Sequence, residues 1–555
     1  MASTTHDNPL IVLSDRTVLL DTHSPLSDEA RDKLARFAEM VKCPDHIHTY
    51  RLTDLSTWNA CALGMIDTEM EAVLIGYSKF SPPESVLAKL TDLSGRYGRV
   101  VLERDGDDLR LSVSDDVTAT ALRGDENVGA LIGERTGPLT FRVAAAERGR
   151  LKQALVHAGY PAQDRAGYLD GESLNIHFRR TTRSENTFRL RDYQREAVDL
   201  FCRNGSNLGG SGVICLPCGA GKTMVGLGAI ERLQQTALIL TTSMTSVKQW
   251  RRELLDKTDI DEEAIAEYTG ETKQIGRITL STYQLMTWRP DKAADFPHFK
   301  LFHARPWGLI IYDEVHLLPA PVFRITADLQ ARRRLGMTAT LVREDGREAD
   351  VFALIGPKRV DTPWRNLETD GWIARAVCAE VRIPMSEKNR LAYAVADKRG
   401  QFRIAAENRE KIAEIRRILA DHIDAKVLII GEYLRQLHDV ADRLGVDLVT
   451  GKTPAAQRES LYNRFRQGMI CRLILSRVDN FALDLPDADV MIQISGMFGS
   501  RQEEAQRLGR ILRPKPDGRQ ARFYTVVSRE TREEDFARNR QRFLVEQGYS
   551  YEIRQ

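Results

Sequence analysis

The sequence has no surplus of charge of either sign: 80 Lys and Arg stand against 78 Asp and Glu in 555 residues. That balance excludes a global basic field that would hold the protein on polyanions, so any nucleic-acid surface has to be a local patch. Long apolar runs are missing as well. The longest, such as Ala237–Leu240 and Leu309–Ile311, fall far short of the roughly 20 residues a membrane span needs. The amino end carries acidic Asp7 and lacks the basic-then-apolar pattern of a secretory signal. Cysteines are few, scattered and odd in number, 7 in all, which argues for a reducing compartment. The expectation is a cytoplasmic protein without a membrane partner, long enough for three or four domains.

What is present centres on Val213–Thr223, Val-Ile-Cys-Leu-Pro-Cys-Gly-Ala-Gly-Lys-Thr. An apolar run breaks at Pro217 into a turn holding Cys218, Gly219, Ala220 and Gly221, and Lys222-Thr223 then opens a helix-like segment. Glycines allow successive N–H groups to point at an anion, and the helix adds its positive end. Lys222 suits the β/γ-phosphates and the Thr223 hydroxyl suits Mg²⁺. The strict phosphate-loop pattern is not met, because Leu216 stands where its first glycine belongs. Support therefore has to come from elsewhere in the chain.

It comes from the texture after Leu190, where short apolar runs alternate with helical segments. Val213–Leu216, Ala237–Leu240, Ile278–Leu280, Leu309–Tyr312 and Arg334–Met337 read as strands of a doubly covered parallel sheet. Polar residues follow each run, among them Thr242, Ser281, Thr282 and Thr338. Such a sheet presents its ligand site at those strand ends. Asp313-Glu314-Val315-His316 stands there too. Metal-assisted phosphoryl transfer needs one carboxylate for Mg²⁺ and one group for the attacking water, and Asp313 and Glu314 suit these roles. Upstream, Arg191 and Gln194 open a helix whose amide offers a donor and an acceptor to an adenine edge.

A second α/β block begins near Lys426, with strands expected at Val427–Ile430, Leu448–Thr450, Arg472–Leu475, Val490–Ile494 and Arg522–Val527. Its Gly451-Lys452-Thr453 lacks the other glycines of a phosphate loop. Gln506, Gly509, Arg510 and Arg513 share one helical face at i, i+3, i+4 and i+7. Two arginines so presented suit the charge developing on a γ-phosphate; a solvated basic face is the alternative.

The first third reads as mixed α+β. A strand or hairpin is expected over 8–20, then one helix carrying Ala30, Leu34, Phe37, Ala38 and Val41 up to Pro44. Further helices are expected around Trp58–Met65, Ser85–Leu93 and Ala144–Ala158, with strands at Arg99–Leu102 and Leu109–Val113. Cys43, His46, His48 and Cys61 match no usual zinc spacing. Polar residues 171–187 read as a linker.

Together these residues resemble the superfamily-two helicases, and within them the XPB-type DNA helicases in their bacterial form. The match runs from Leu190 onward through Leu-Pro-Cys-Gly-Ala-Gly-Lys-Thr (216–223), Gln249-Trp250, Ser281-Thr-Tyr-Gln284 and Asp-Glu-Val-His (313–316). It continues through Thr-Ala-Thr-Leu-Val-Arg-Glu-Asp (338–345), Asp484-Leu-Pro486, Gln493-Ile-Ser495 and Ser500 to Arg513. The resemblance implies two RecA-like parallel-sheet motor domains, 186–370 and 371–555, behind a DNA- or partner-binding N-terminal domain, 1–185. It implies ATP and Mg²⁺ as cofactors and 3′-to-5′ unwinding of DNA in repair. Single strands and duplex junctions would be the partner, with a nuclease or other repair protein as a further candidate and the nucleoid as the place of action. It carries Gln506, Arg510 and Arg513 over as the arginine-finger helix, and Thr338, Thr340 and His316 as the link between hydrolysis and closure. Arg343, Glu344 and Asp345 would act on DNA, and Thr242, Ser281, Thr282 and Thr453 would follow the strand backbone. A DNA translocase that does not part the strands and an ATP-switched DNA-binding scaffold are the competing readings. Residues 384–412 are compact where eukaryotic members carry a basic thumb, with Lys388, Arg390, Lys398 and Arg399 read either as a reduced version or as a solvated helix face.

Overall fold

A computed structural model of the chain describes residues 7–42, 46–203, 209–217, 219–291, 293–339, 347–361, 367, 376–476, 488–495, 520–546 and 550–554. Its contacts divide the chain into two units, Met1–Leu216 with Gly221–Asp361, and Pro217–Ala220 with Thr362–Gln555.

The first unit opens on the expected hairpin, Leu10–Val12 against Thr17–Asp21, within a four-stranded sheet. The helix that follows spans only Ser27–Leu34. Phe37, Ala38 and Val41 are not on it: Glu39–Lys42 is a strand pairing antiparallel with Ile47–Arg51. Phe37 and Ala38 are buried all the same. Their spacing signalled burial, while their N–H groups close the helix end on the Leu34 carbonyl and strand pairing begins at Glu39. Helices stand at Asp54–Ala62 and Glu84–Arg96, near the places expected, and two unforeseen ones stand at Asp67–Tyr77 and Asp116–Gly124. A five-stranded sheet contains the hairpin Val100–Asp105 with Asp108–Val113. Of the four residues weighed for zinc, Cys43 lies outside the described residues. His46 stacks on His23, His48 is buried in its strand, and the Cys61 thiol shares a hydrogen bond with Ser94 at 3.3 Å.

Residues 171–187 are no free linker. Leu174 and Ile176 are buried, and the backbone docks on the carboxyl ends of two helices: the Leu174 N–H donates to the Gln234 carbonyl and the Arg179 N–H to the Lys257 carbonyl, both at 2.8 Å. Helix ends leave carbonyls without intrahelical partners, and this polar strap satisfies them.

Beyond the strap lies a seven-stranded parallel sheet. Its spatial order is Ile265–Tyr268, Ile278–Thr282, Ala237–Thr241, Leu309–Asp313, Arg333–Thr338, Ser211–Cys215, Lys358–Asp361. The second unit holds another: Leu448–Val449, Arg472–Ser476, Val427–Gly431, Val490–Gln493, Ala521–Ser528, Ala376–Ile383, Ser550–Arg554, again all parallel. Counted along the chain, both sheets run third, fourth, second, fifth, sixth, first, seventh. The chain builds one RecA-like topology twice. Two strands of each sheet escaped the sequence reading. In Ala376–Ile383 the apolar run is broken by Glu380, which is buried and accepts from Tyr551 Oη and Arg382 Nε, both at 2.7 Å.

Within the first unit, the helix Arg148–His157 is held against the parallel-sheet layer by a buried charge cluster. Arg148 grips Asp164 at 2.7 and 3.1 Å, and Lys152 reaches Asp164 Oδ2 and Gln330 Oε1, each at 3.0 Å. Arg334, fully buried, donates to the carbonyls of Leu354 and Gln330 at 2.7 and 2.8 Å. Burial acts to raise the Asp164 pKa, but the Lys152 and Arg148 charges outweigh it and hold the carboxyl far below its ordinary range. Asp164 is therefore the counter-charge for this cluster. Asp164→Asn should destabilise the first unit by about 3–5 kcal/mol at pH 7, since it leaves buried cations uncompensated. Urea unfolding of the two proteins measures this; a difference under about 1 kcal/mol would reduce the cluster to a surface-type ion pair.

Candidate functional site

A parallel sheet covered on both faces can place polar groups only at its strand ends. The strand Ser211–Cys215 is buried throughout, and at its carboxyl end the Leu216 N–H donates to the Thr338 carbonyl at 3.0 Å. The chain then turns through Gly219 (φ 82°) and Gly221 (φ 77°), both left-handed. Gly221 caps the helix Lys222–Leu233. A Cβ there would lie 2.5 Å from Gln194 Nε2, the movable end of a side chain, so it is the left-handed backbone that favours glycine at this position. The same distance places the Gln194 amide beside the loop. Its Oε1 accepts the Arg191 N–H at 3.0 Å, closing the capping box that starts the helix Asp192–Cys202.

Asp313 ends the strand Leu309–Asp313, and the chain turns sharply at Glu314, whose φ of 51° is left-handed. A non-glycine residue held so is strained, which is common where a side chain must be aimed. Glu314 meets Lys222 Nζ at 3.6 Å on one side and His316 Nδ1 at 3.5 Å on the other. His316 Nδ1 also shares a 2.7 Å hydrogen bond with the buried Thr338 hydroxyl. Lys222, Glu314, His316 and Thr338 thus form one polar chain across the ends of three strand–loop segments.

Asp313 is anchored by groups the motifs did not assign to it. Trp250 Nε1 donates to Asp313 Oδ2 at 2.9 Å, and Tyr283 Oη donates to the Asp313 carbonyl at 2.9 Å. The indole reaches it by packing across Gly226, where a Cβ would meet Trp250 at 2.5 Å. Trp250 lies far from Asp313 in the chain, and no local pattern links them. Burial first, and then the Glu314 charge, push the Asp313 pKa up to about 6 against the lowering by Trp250 and Lys222. Such a buried carboxylate, beside a second one, is a site a cation would relieve. Among the described residues no three His, Cys, Asp or Glu gather as ligands. A cation here would take Asp313 and the Thr223 hydroxyl, with phosphate and water completing its shell, a donor set that suits Mg²⁺.

The other expected residues are dispersed. Thr242 follows the strand end of Ala237–Thr241. Ser281 is buried and donates to the Tyr268 carbonyl at 2.7 Å, and Thr282 caps a short helix by accepting the Leu285 N–H at 3.2 Å. Thr453 closes a turn in the second unit, its hydroxyl accepting the Thr450 N–H at 2.9 Å. Lys388 and Arg390 stand on the helix Glu387–Val395, Lys398 and Arg399 on Lys398–Ala406. Burial pushes the Cys215 thiol up to about 12, so it stays protonated and unreactive. Cys218, Thr340, Arg343, Glu344, Asp345, Asp484–Pro486 and the whole of 500–513, with Gln506, Arg510 and Arg513, lie outside the described residues.

The raised Asp313 pKa carries a testable sign. The folded carboxyl binds its proton more tightly than the unfolded one, so its contribution to stability grows as pH falls from about 6 toward 4 and is a cost above that range. Asp313→Asn keeps an acceptor for Trp250 and removes the buried charge. It should raise the melting temperature at pH 8, with the gain shrinking by pH 5. A lower melting temperature at pH 8 would contradict the burial argument.

Comparison with known proteins bears on this arrangement. The ERCC3/RAD25/XPB C-terminal helicase family matches residues 367–555, the type III restriction enzyme res subunit family matches 187–343, and a helicase conserved C-terminal domain family matches 10–137, at this chain's amino end. A protein of Mycobacterium tuberculosis named DNA 3′-5′ helicase XPB is 48% identical over 99% of this chain and 98% of its own length. One of the same name from Kineococcus radiotolerans is also 48% identical, over 99% and 96%. The Saccharomyces cerevisiae general transcription and DNA repair factor IIH helicase/translocase subunit XPB/SSL2 is 30% identical over 97% of this chain and 71% of its own. With two parallel sheets of one topology, a phosphate loop facing an Asp-Glu-Val-His turn, and relatives of this closeness along almost its whole length, the chain belongs to the XPB family of superfamily-two helicases.

Proposed function

We propose that this protein is an ATP-dependent DNA helicase that unwinds DNA with 3′-to-5′ polarity in DNA repair. The observation that carries the reading is the 3.6 Å approach of Lys222 to Glu314 at the sheet's carboxyl end, in a chain whose full-length relatives are named 3′-5′ DNA helicases.

The residues divide the work as follows. Gly219, Ala220 and Gly221, with Pro217 and Cys218, cradle the phosphates, and Lys222 takes the β/γ oxygens. Gln194 and Arg191 face the adenine. Asp313 and Thr223 would hold Mg²⁺, which would supply positive charge against the phosphate. A triphosphate entering the loop competes with Glu314 for Lys222. Glu314, so released and still aimed by its left-handed backbone, accepts a hydrogen bond from the attacking water and orients it. His316 and Thr338 register that change, since both lie in the polar chain that starts at Glu314, and Thr340 stands two places after Thr338 in sequence. Gln506, Arg510 and Arg513 act on the developing γ-phosphate charge. Arg343, Glu344 and Asp345 act on DNA, with Thr242, Ser281, Thr282 and Thr453 along the strand backbone. The three-domain division at 185 and 370, a repair protein such as a nuclease as partner, and action on the nucleoid belong to the same reading. A translocase that does not separate strands is the second reading, favoured by the helicase/translocase name of the yeast relative.

Strand displacement on one 3′-tailed and one 5′-tailed duplex decides between them. The helicase releases strands from the 3′-tailed substrate alone, and Lys222→Ala releases none; ATP hydrolysis stimulated by DNA without displacement on either substrate selects the translocase. Arg510→Ala should keep ATP binding and lose on the order of 10³-fold or more in hydrolysis. A loss under tenfold would return that helix to a solvated basic face.

A further inference from the structure

The segment between Thr282 and the strand Leu309–Asp313 carries a surface that the hydrolysis site does not use. Trp288 is 52% exposed, whereas Trp58, Trp250 and Trp307 are at most 3% exposed. An indole held open to water forgoes the burial that usually keeps tryptophan inside. Yet this one is well supported. The segment that carries it is fixed by the Trp288 backbone N–H, which donates to the Leu285 carbonyl at 3.1 Å. Its ring lies 5.7 Å from the His298 ring, tilted by 48°. His298 meets Tyr268 edge-on at 5.6 Å and shares a 3.0 Å hydrogen bond between Nδ1 and the tyrosine hydroxyl. Tyr268 is buried at the end of its strand. Three rings therefore run from the core to the solvent and end in the exposed indole.

The rim of this surface is cationic. Lys273 Nζ sits 5.1 Å above the Tyr268 ring, and the Arg289 guanidinium sits 5.2 Å above Phe296. Burial and the neighbouring Lys300 both lower the Lys273 pKa, a sign of like charges held together. The nearby Asp291 carboxylate is turned to the Ala293 and Ala294 N–H groups at 2.8 and 2.9 Å.

Position matters as much as composition. Tyr268 pairs with Ser281 in the ladder, and Thr282 caps the helix Tyr283–Met286 that leads to Trp288. The surface stands at the carboxyl end of the sheet, the end that also carries Lys222 and Asp313. Tyr268 ends the edge strand, five places from Ser211–Cys215 in the sheet order. At about 4.8 Å per strand that is roughly 24 Å, out of reach of a triphosphate in the loop.

We propose that Trp288, backed by His298 and Tyr268 and rimmed by Lys273, Arg289 and Lys300, is a stacking platform for a base of single-stranded DNA. The proposal rests on the DNA-helicase reading above. An aromatic face accepts any base, and cations around it track the phosphates, the combination that single-strand binders use without sequence preference. It assigns the first motor a grip on bases in addition to its grip on the backbone.

The test measures binding of a labelled 3′-tailed duplex by anisotropy, together with tryptophan emission. Wild type, Trp288→Ala and Trp288→Phe are compared as full-length proteins, on an intact tail and on an abasic tail. Wild-type emission should fall on binding, and wild type should prefer the intact tail. Trp288→Ala should lose most of that emission change, bind the intact tail roughly 5- to 100-fold more weakly, and no longer distinguish the two tails; Trp288→Phe should recover most of the affinity. Equal affinity of wild type and Trp288→Ala for the intact tail, with the same discrimination against the abasic one, overturns the platform and leaves the helicase reading standing. Wild-type protein that binds neither tail removes both.

Discussion

A parallel sheet buried on both faces has only its strand ends on which to place polar chemistry, and the functional architecture of this chain follows from that restriction. Five strands of the first such sheet are buried along nearly their whole length. Lysine, carboxylates, histidine and threonine therefore collect in the loops just past them. Loops from different strands thereby become neighbours, although they are far apart in sequence. The polar chain from Lys222 through Glu314 and His316 to Thr338 is the direct result.

Within that collection the decisive tension is between Asp313 and Glu314. Adjacent carboxylates in a site of low polarity repel and resist ionisation. The protein spreads the strain over two devices, an indole donor on Asp313 and a lysine against Glu314, with the backbone left-handed at Glu314. Neither of them neutralises the pair, and what is left over is an affinity for positive charge. The raised pKa of Asp313 is the mark of that unrelieved charge.

Legibility in the sequence followed the same physics. The inner strands were readable because double burial writes them as unbroken apolar runs. The turn after Pro217 was readable despite Leu216, because Gly219 and Gly221 are the positions whose backbone is left-handed. What escaped was whatever depended on a distant partner. The strand Ala376–Ile383 hides behind Glu380, acceptable only because Tyr551 and Arg382 meet it. The strap at 171–187 looked like a linker because its polar residues outnumber the two that turn inward. Phe37 and Ala38 announced burial but not the strand that claimed their neighbours. Trp250 stood in a motif, yet nothing local tied its N–H to Asp313.

The charge cluster around Asp164 has a consequence for how the molecule can be taken apart. Arg334 belongs to the first motor sheet, while the carboxylate nearest in charge to it comes from the amino-terminal portion, carried there with Arg148 and Lys152. A fragment beginning at the motor would open a buried arginine, the Gln330 amide and the apolar flank of Phe352 to water, with nothing to cover them. Dissection by sequence motif would thus cut through the interior of a solid. A piece of the amino half that keeps this interior closed retains residues 148–164 along with the first parallel sheet.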